Sequence, residues 1–185
     1  IGFAVDLYYS LKKYSQGTLT ISGGIGIYPP KFPISVMAKQ TGALEDAAKE
    51  VDGKNAITLF DERYSFHWSE LIQEVIEEKV QLIQSYLDEF AAERGKAFLY
   101  RVLELVRARW MEEDGKINIA RFAYQLSRIE PSENASGEQK ELYHRFSKSM
   151  YQWIQEEKDS RQLELAIYLY IYQAREKEGE YNGED

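Results

Sequence analysis

The chain has 185 residues, 44% apolar and 14% aromatic, with 31 acidic against 23 basic side chains, a formal net charge of −8 and no cysteine. That length and aromatic content fit one domain or two small ones with a real core, and exclude a disordered chain. The missing cysteines exclude disulfides and thiolate zinc sites and lead us to expect a reducing cytoplasm, and no run of ~18 uncharged apolar residues is present to cross a membrane.

Residues 3–14 place Phe3, Ala4, Leu7, Tyr8 and Leu11 on one face of a helix. It begins at residue 1 with neither a cap nor a turn signal, and with no basic region or cleavage pattern of a signal peptide; further residues are expected ahead of it. Gly17 closes it. Leu19–Tyr28 alternates apolar with small residues and reads as a strand buried on one face, stopped by Pro29, Pro30 and Pro33. A small-residue helix follows through Ile34, Met37, Ala38, Leu44, Ala47 and Ala48, closed by Gly53, and Ala56–Phe60 reads as a second strand. From His67 onward every segment is expected to be helical. Trp68, Leu71, Ile72, Val75, Ile76, Val80, Ile83, Leu87 and Phe90 keep a 3.6-residue period, and further helices are predicted near 96–112, 116–128, 138–156 and 158–178. The Pro131–Gly137 run is a loop. A domain boundary is expected near 61–67, giving units 1–66 and 67–185.

Charge follows the same division. Residues 1–66 carry seven basic and seven acidic groups, so the whole net charge lies in residues 67–185. An acidic half repels phosphate backbones, which confines any nucleic-acid contact there to local patches.

Glycines at 23, 24 and 26 weaken a strand, and they have two readings. They admit a ligand or another backbone, or they let a helix pack tightly over the strand. A following helix that ends in Lys49 can offer phosphates a point charge. No lysine directly follows the glycines, so this is not a Walker loop.

The run LTISGGIGIYPPKFPISVMAKQTGALEDAAK, followed by GKNAITLF, resembles the second palm domain of the large subunit of type III CRISPR effector complexes, of the Csm type, and more distantly the diguanylate cyclases. The resemblance covers residues 1–62; the helical remainder matches that family's C-terminal domain in placement and character. It implies an α+β fold: the C-terminal half of a ferredoxin-like palm or cyclase domain, then an all-α helical bundle. The activity implied is a nucleotidyltransferase that condenses ATP into cyclic oligoadenylate when target RNA binds, in antiviral defence. ATP is the substrate, and Mg or Mn is held by hairpin aspartates expected upstream of residue 1. Lys49 carries over as a phosphate ligand, Ser22, Gly23 and Gly24 as the wall of the ATP pocket, and Lys54 as a weaker candidate. By itself the chain is expected to be inactive. Implied partners are the other Csm-type subunits, CRISPR RNA and target RNA, with no membrane. The alternatives are an inactive palm serving as a scaffold in the CRISPR RNA complex, or a diguanylate cyclase-like domain; the long helical tail weighs against the latter.

Other residues weigh less. His67 and His144 are far apart and neither precedes an aspartate, so they do not form the His-Asp pair of that family's nuclease domain. Glu77-Glu78, Glu112-Glu113-Asp114 and Glu156-Glu157 read as solvated helix faces. Arg94, Arg101 and Arg109 could contact RNA phosphates or an acidic partner, or pair with nearby glutamates. Leu165–Tyr172 is apolar all round, which means either full burial or docking of a partner.

Overall fold

A computed structural model describes residues 1–90, 97–111 and 115–181. They divide into two compact units, Ile1–Glu74 and Val75–Asp185.

The first unit opens with α1 (Gly2–Tyr14), then β1 (Gly23–Ile25), α2 (Ile34–Glu50) and β2 (Ala56–Leu59). A 3₁₀ turn, Glu62–Tyr64, leads into β3 (Ser65–His67). The sheet runs β1-β2-β3, with β1 parallel and β3 antiparallel to β2. A parallel pair needs a crossover, and α2 supplies it. Register places Gly23, Ile57 and Phe66 on one face and Gly24, Thr58 and Ser65 on the other. The Gly24 face lies under α2, whose Leu44 and Ala48 are buried. Thr58 is fully buried there, and its hydroxyl is satisfied by the Ser65 hydroxyl at 2.7 Å. On the other face Ile57 and Phe66 are buried, each stabilising the fold by about 1.5–3 kcal/mol.

β3 corrects the expectation that everything after residue 66 is helical and that the unit ends with its second strand. Three residues are too few to show a period, and Ser65–His67 is a strand because β2 offers it an edge. β1 is also shorter than the alternation over 19–28 predicts. A ladder is only as long as its partner, and β2 has four residues.

From Trp68 the chain winds as α3 (Trp68–Glu70), a π-helical stretch (Leu71–Val80) and α4 (Gln81–Glu89). α5 (Ala97–Met111), α6 (Gly115–Ser127), α7 (Gly137–Trp153) and α8 (Glu157–Tyr181) complete the second unit. α7 starts where the sequence dictates. Ser136 Oγ accepts the Gln139 amide and the Gln139 side chain accepts the Ser136 amide, both at 3.1 Å, a reciprocal cap on two orphan donors. In the core of this unit Tyr86 stacks on Phe146 with centroids 4.1 Å apart and donates its hydroxyl to the Ile129 carbonyl at 2.7 Å. The segment Leu165–Tyr172 resolves as burial. Leu165, Ala166, Ile167, Leu169 and Ile171 are core residues, and only the tyrosines between and after them reach the surface.

Among the described residues, two charged groups sit inside this unit. Lys79 is 1% exposed, its ammonium 3.1 Å from Asp159, 2.8 Å from the Gln162 carbonyl oxygen and 4.9 Å from the Trp153 ring centre. Buried Glu164 accepts from Arg107 at 2.6 Å. Taking a charge out of water is tolerated only with such partners.

Candidate functional site

The glycine run separates into two physical roles. A Cβ built on Gly24 would lie 2.5 Å from the Glu45 amide nitrogen and 2.7 Å from Leu44 Cβ, so α2 passes too close for any side chain. Gly23, on the opposite face, would place a Cβ with nothing within 4 Å. The tight-packing reading therefore accounts for Gly24. Gly23, at the edge strand of a face otherwise buried at Ile57 and Phe66, leaves a local patch of bare backbone with open space where a side chain would stand. At Gly26 the missing Cβ makes room for the Tyr28 ring, whose hydroxyl caps onto α2 at the Met37 carbonyl and the Thr41 hydroxyl.

Ser22 precedes the ladder, and its hydroxyl accepts the Ala56 amide at 3.4 Å, joining the entry of β1 to the entry of β2. α2 runs back across the sheet and ends at the edge where β2 begins. Lys49 lies in its last turn, where a cation is favoured by the helix dipole. Ser22 and Lys49 are thus brought to one edge of the crossover unit. The Lys49 ammonium is half exposed and held by acids of its own helix, 2.7 Å from Glu45 and 3.7 Å from Asp46. The Glu45 hydrogen bond raises its pKa above the ordinary lysine value, so it carries its charge throughout the neutral range.

The turn between α2 and β2 is bent hard. Gly53, Lys54 and Asn55 all have left-handed backbone, with φ of +72°, +56° and +52°, a region that costs a lysine about 1 kcal/mol or more. Its two carbonyls are taken from one place. His67 Nδ1 donates to the Lys54 carbonyl at 3.0 Å, and the Trp68 amide donates to the Asn55 carbonyl at 3.2 Å. The Trp68 indole N–H reaches the Ile21 carbonyl at 2.8 Å, and its ring stacks on Tyr8 with centroids 4.9 Å apart. Nothing in the sequence pattern signals this convergence, because its partners lie 13 and 47 residues away from Trp68. A small cleft of about 100 Å³, lined by Tyr8, Lys12, Thr20, Ile21 and Asn55 among others, opens beside it.

Among the described residues no group of three or more acids and histidines could hold a metal ion. The acids next to Lys49, Glu45 and Asp46, are engaged with it. His67 is committed to the turn and His144 is exposed. Arg101 is exposed on α5; Arg94 lies outside the described residues, and Arg109 is on α5 with its side chain outside them. Among the described residues no helix is long and apolar enough to cross a membrane.

Two family models match. The second palm domain of Cas10/Cmr2 matches residues 1–58, and the second helical domain of the Cmr2 subunit of the CRISPR RNA silencing complex matches residues 84–176. Three curated relatives carry the same name, "CRISPR system single-strand-specific deoxyribonuclease Cas10/Csm1 (subtype III-A)". The protein from Mycobacterium tuberculosis is 43% identical over 97% of this chain, and that from Streptococcus thermophilus 40% identical over 95%. The one from Enterococcus italicus is 39% identical over 95%. The chain spans about a fifth of their length, 21%, 22% and 21% respectively.

Proposed function

The chain belongs to the Cas10/Csm1 family of type III-A CRISPR large subunits, and from that premise we propose that it forms one wall of an ATP pocket in a cyclic oligoadenylate synthase. Ser22 and Gly23 line that wall, Gly24 lets α2 lie close behind it, and Lys49 binds a phosphate. The observation that carries the reading is the division of labour between Gly23 and Gly24, an open patch of backbone at Gly23 backed by a tightly packed helix at Gly24. A 3′-hydroxyl attacking an α-phosphate needs charge neutralisation and alignment more than covalent help from the protein. Lys49 supplies charge and the strand supplies alignment. The metal-binding carboxylates, and the deoxyribonuclease chemistry named for the relatives, belong on this reading to parts of the protein outside these residues. The helical unit binds other subunits of the complex, CRISPR RNA or target RNA, with Arg101 a candidate contact. The place of action is the cytoplasm.

The Lys49 ion pair favours a second reading, an inactive palm kept as a scaffold, because a lysine already neutralised within its helix has less to give a phosphate. One experiment separates the two. The full-length protein in its RNA-bound complex is given labelled ATP and magnesium, with and without target RNA, and products are read by mass spectrometry. Adenylate rings that form only with target RNA, and an ATP affinity lowered about tenfold or more in Lys49→Ala, are expected for a charge-assisted contact. Glu45→Gln, which frees the ammonium, should tighten ATP. No product and no ATP binding in an intact complex would leave the scaffold.

A further inference from the structure

We propose that Trp68 is a positioning residue for the ATP pocket, holding its wall in place without touching nucleotide; this deepens the reading above and rests on it. Residues 19–22 lie ahead of the sheet ladder, which begins at the pairing of Gly23 with Ile57. The wall residue Ser22 therefore depends on anchors other than the ladder between β1 and β2. Its neighbour Ile21 has its carbonyl fixed by the Trp68 indole at 2.8 Å. Ser22 itself is tied to the Ala56 amide, and Asn55, the residue before Ala56, gives its carbonyl to the Trp68 amide at 3.2 Å.

These links close a ring: Trp68 to Ile21, along the chain to Ser22, across to Ala56, back one residue to Asn55, and on to Trp68. One residue, through its ring nitrogen and its backbone nitrogen, pins the entries of both parallel strands. His67 fastens the adjoining carbonyl of Lys54, so the left-handed turn that follows Lys49 is held at two successive peptides. The indole is 3% exposed and stacked on Tyr8 at an interplanar angle of 13°, so its own orientation is fixed by packing. A buried side chain whose polar atom reaches a carbonyl next to the ligand wall is the arrangement by which supporting residues preorganise a site.

Two substitutions test this in the full-length protein within its RNA-bound complex. Trp68→Phe keeps an aromatic ring against Tyr8 and removes the N–H; Trp68→Leu removes both. With Trp68→Phe the KM for ATP should rise about fivefold with kcat within twofold of wild type, the pattern of weakened uniform binding. Amide exchange over residues 20–24 and 54–56 should quicken while α2 stays protected. KM and exchange both at wild-type values in Trp68→Phe would overturn the proposal and reduce Trp68 to a packing residue. A uniform loss of protection across the first unit would overturn it too. Failure of the wild type to bind ATP refutes the underlying function, and it shows before any variant is made.

Discussion

Adjacent glycines with opposite surroundings make a controlled experiment. Gly24→Ala puts a methyl 2.5 Å from the Glu45 amide nitrogen and 2.8 Å from the Leu44 carbonyl carbon, both backbone atoms of a helix that cannot swing aside as a side chain would. Overpacking of this kind costs about 1–3 kcal/mol. Gly23→Ala meets nothing within 4 Å. Both substitutions share the gain from replacing a strand glycine by alanine, about 0.5–1 kcal/mol. Subtracting one variant from the other cancels that gain and isolates the steric cost, so Gly24→Ala should be less stable than Gly23→Ala by about 1–3 kcal/mol. Urea-dependent limited proteolysis of the full-length protein, followed at cleavage sites in the palm, measures the difference. The same pair then reads function. Gly23→Ala, though at least as stable as wild type, should weaken ATP binding about tenfold by filling the open face. Equal stabilities would refute the close-packing argument, and unchanged ATP affinity in Gly23→Ala would refute the open wall.

Two further outcomes follow from the charged and strained positions. Lys79→Met keeps the volume but takes the ammonium away from the Asp159 carboxylate and one donor away from Gln162, and urea unfolding should show a loss of about 2 kcal/mol, less than for a fully buried pair because Asp159 is 34% exposed. Lys54→Asn suits the left-handed backbone at φ +56° better than lysine does and should stabilise by roughly 0.5 kcal/mol in thermal unfolding, with ATP affinity within twofold of wild type.

Periodicity made α2 and the helices of the second unit legible, and the loop ending at Gly137 placed the start of α7 closely. What stayed hidden was set by long-range pairing. Ser65–His67 is a strand only because β2 lies beside it. Lys79 falls within the apolar stripe of its helix, and the residues that receive its charge, Asp159 and Gln162, lie some eighty residues further along the chain. In the candidate site the residue types were readable and their orientations were not. Nothing in the string Ser-Gly-Gly distinguishes the glycine under a helix from the one facing open space, because that depends on which side α2 crosses. Trp68 looked like the first residue of an amphipathic helix, and its two donor nitrogens found their acceptors 13 and 47 residues away.

The burial of Leu163–Ile171 in α8 also bears on synthesis of the chain. α8 packs against α4, α5 and α7, and it carries Asp159 and Gln162, which receive the buried Lys79, as well as the buried Glu164 that Arg107 meets. A ribosome that has made everything up to residue 155 has released α4 stacked on α7 through Tyr86 and Phe146, but with the apolar faces that α8 covers still open and Lys79 without Asp159 and Gln162. The second unit must wait for its last helix to emerge before it can close, while the first unit's sheet contacts are all complete by residue 68. A nascent chain interrupted in between exposes the apolar faces that chaperones and proteases recognise.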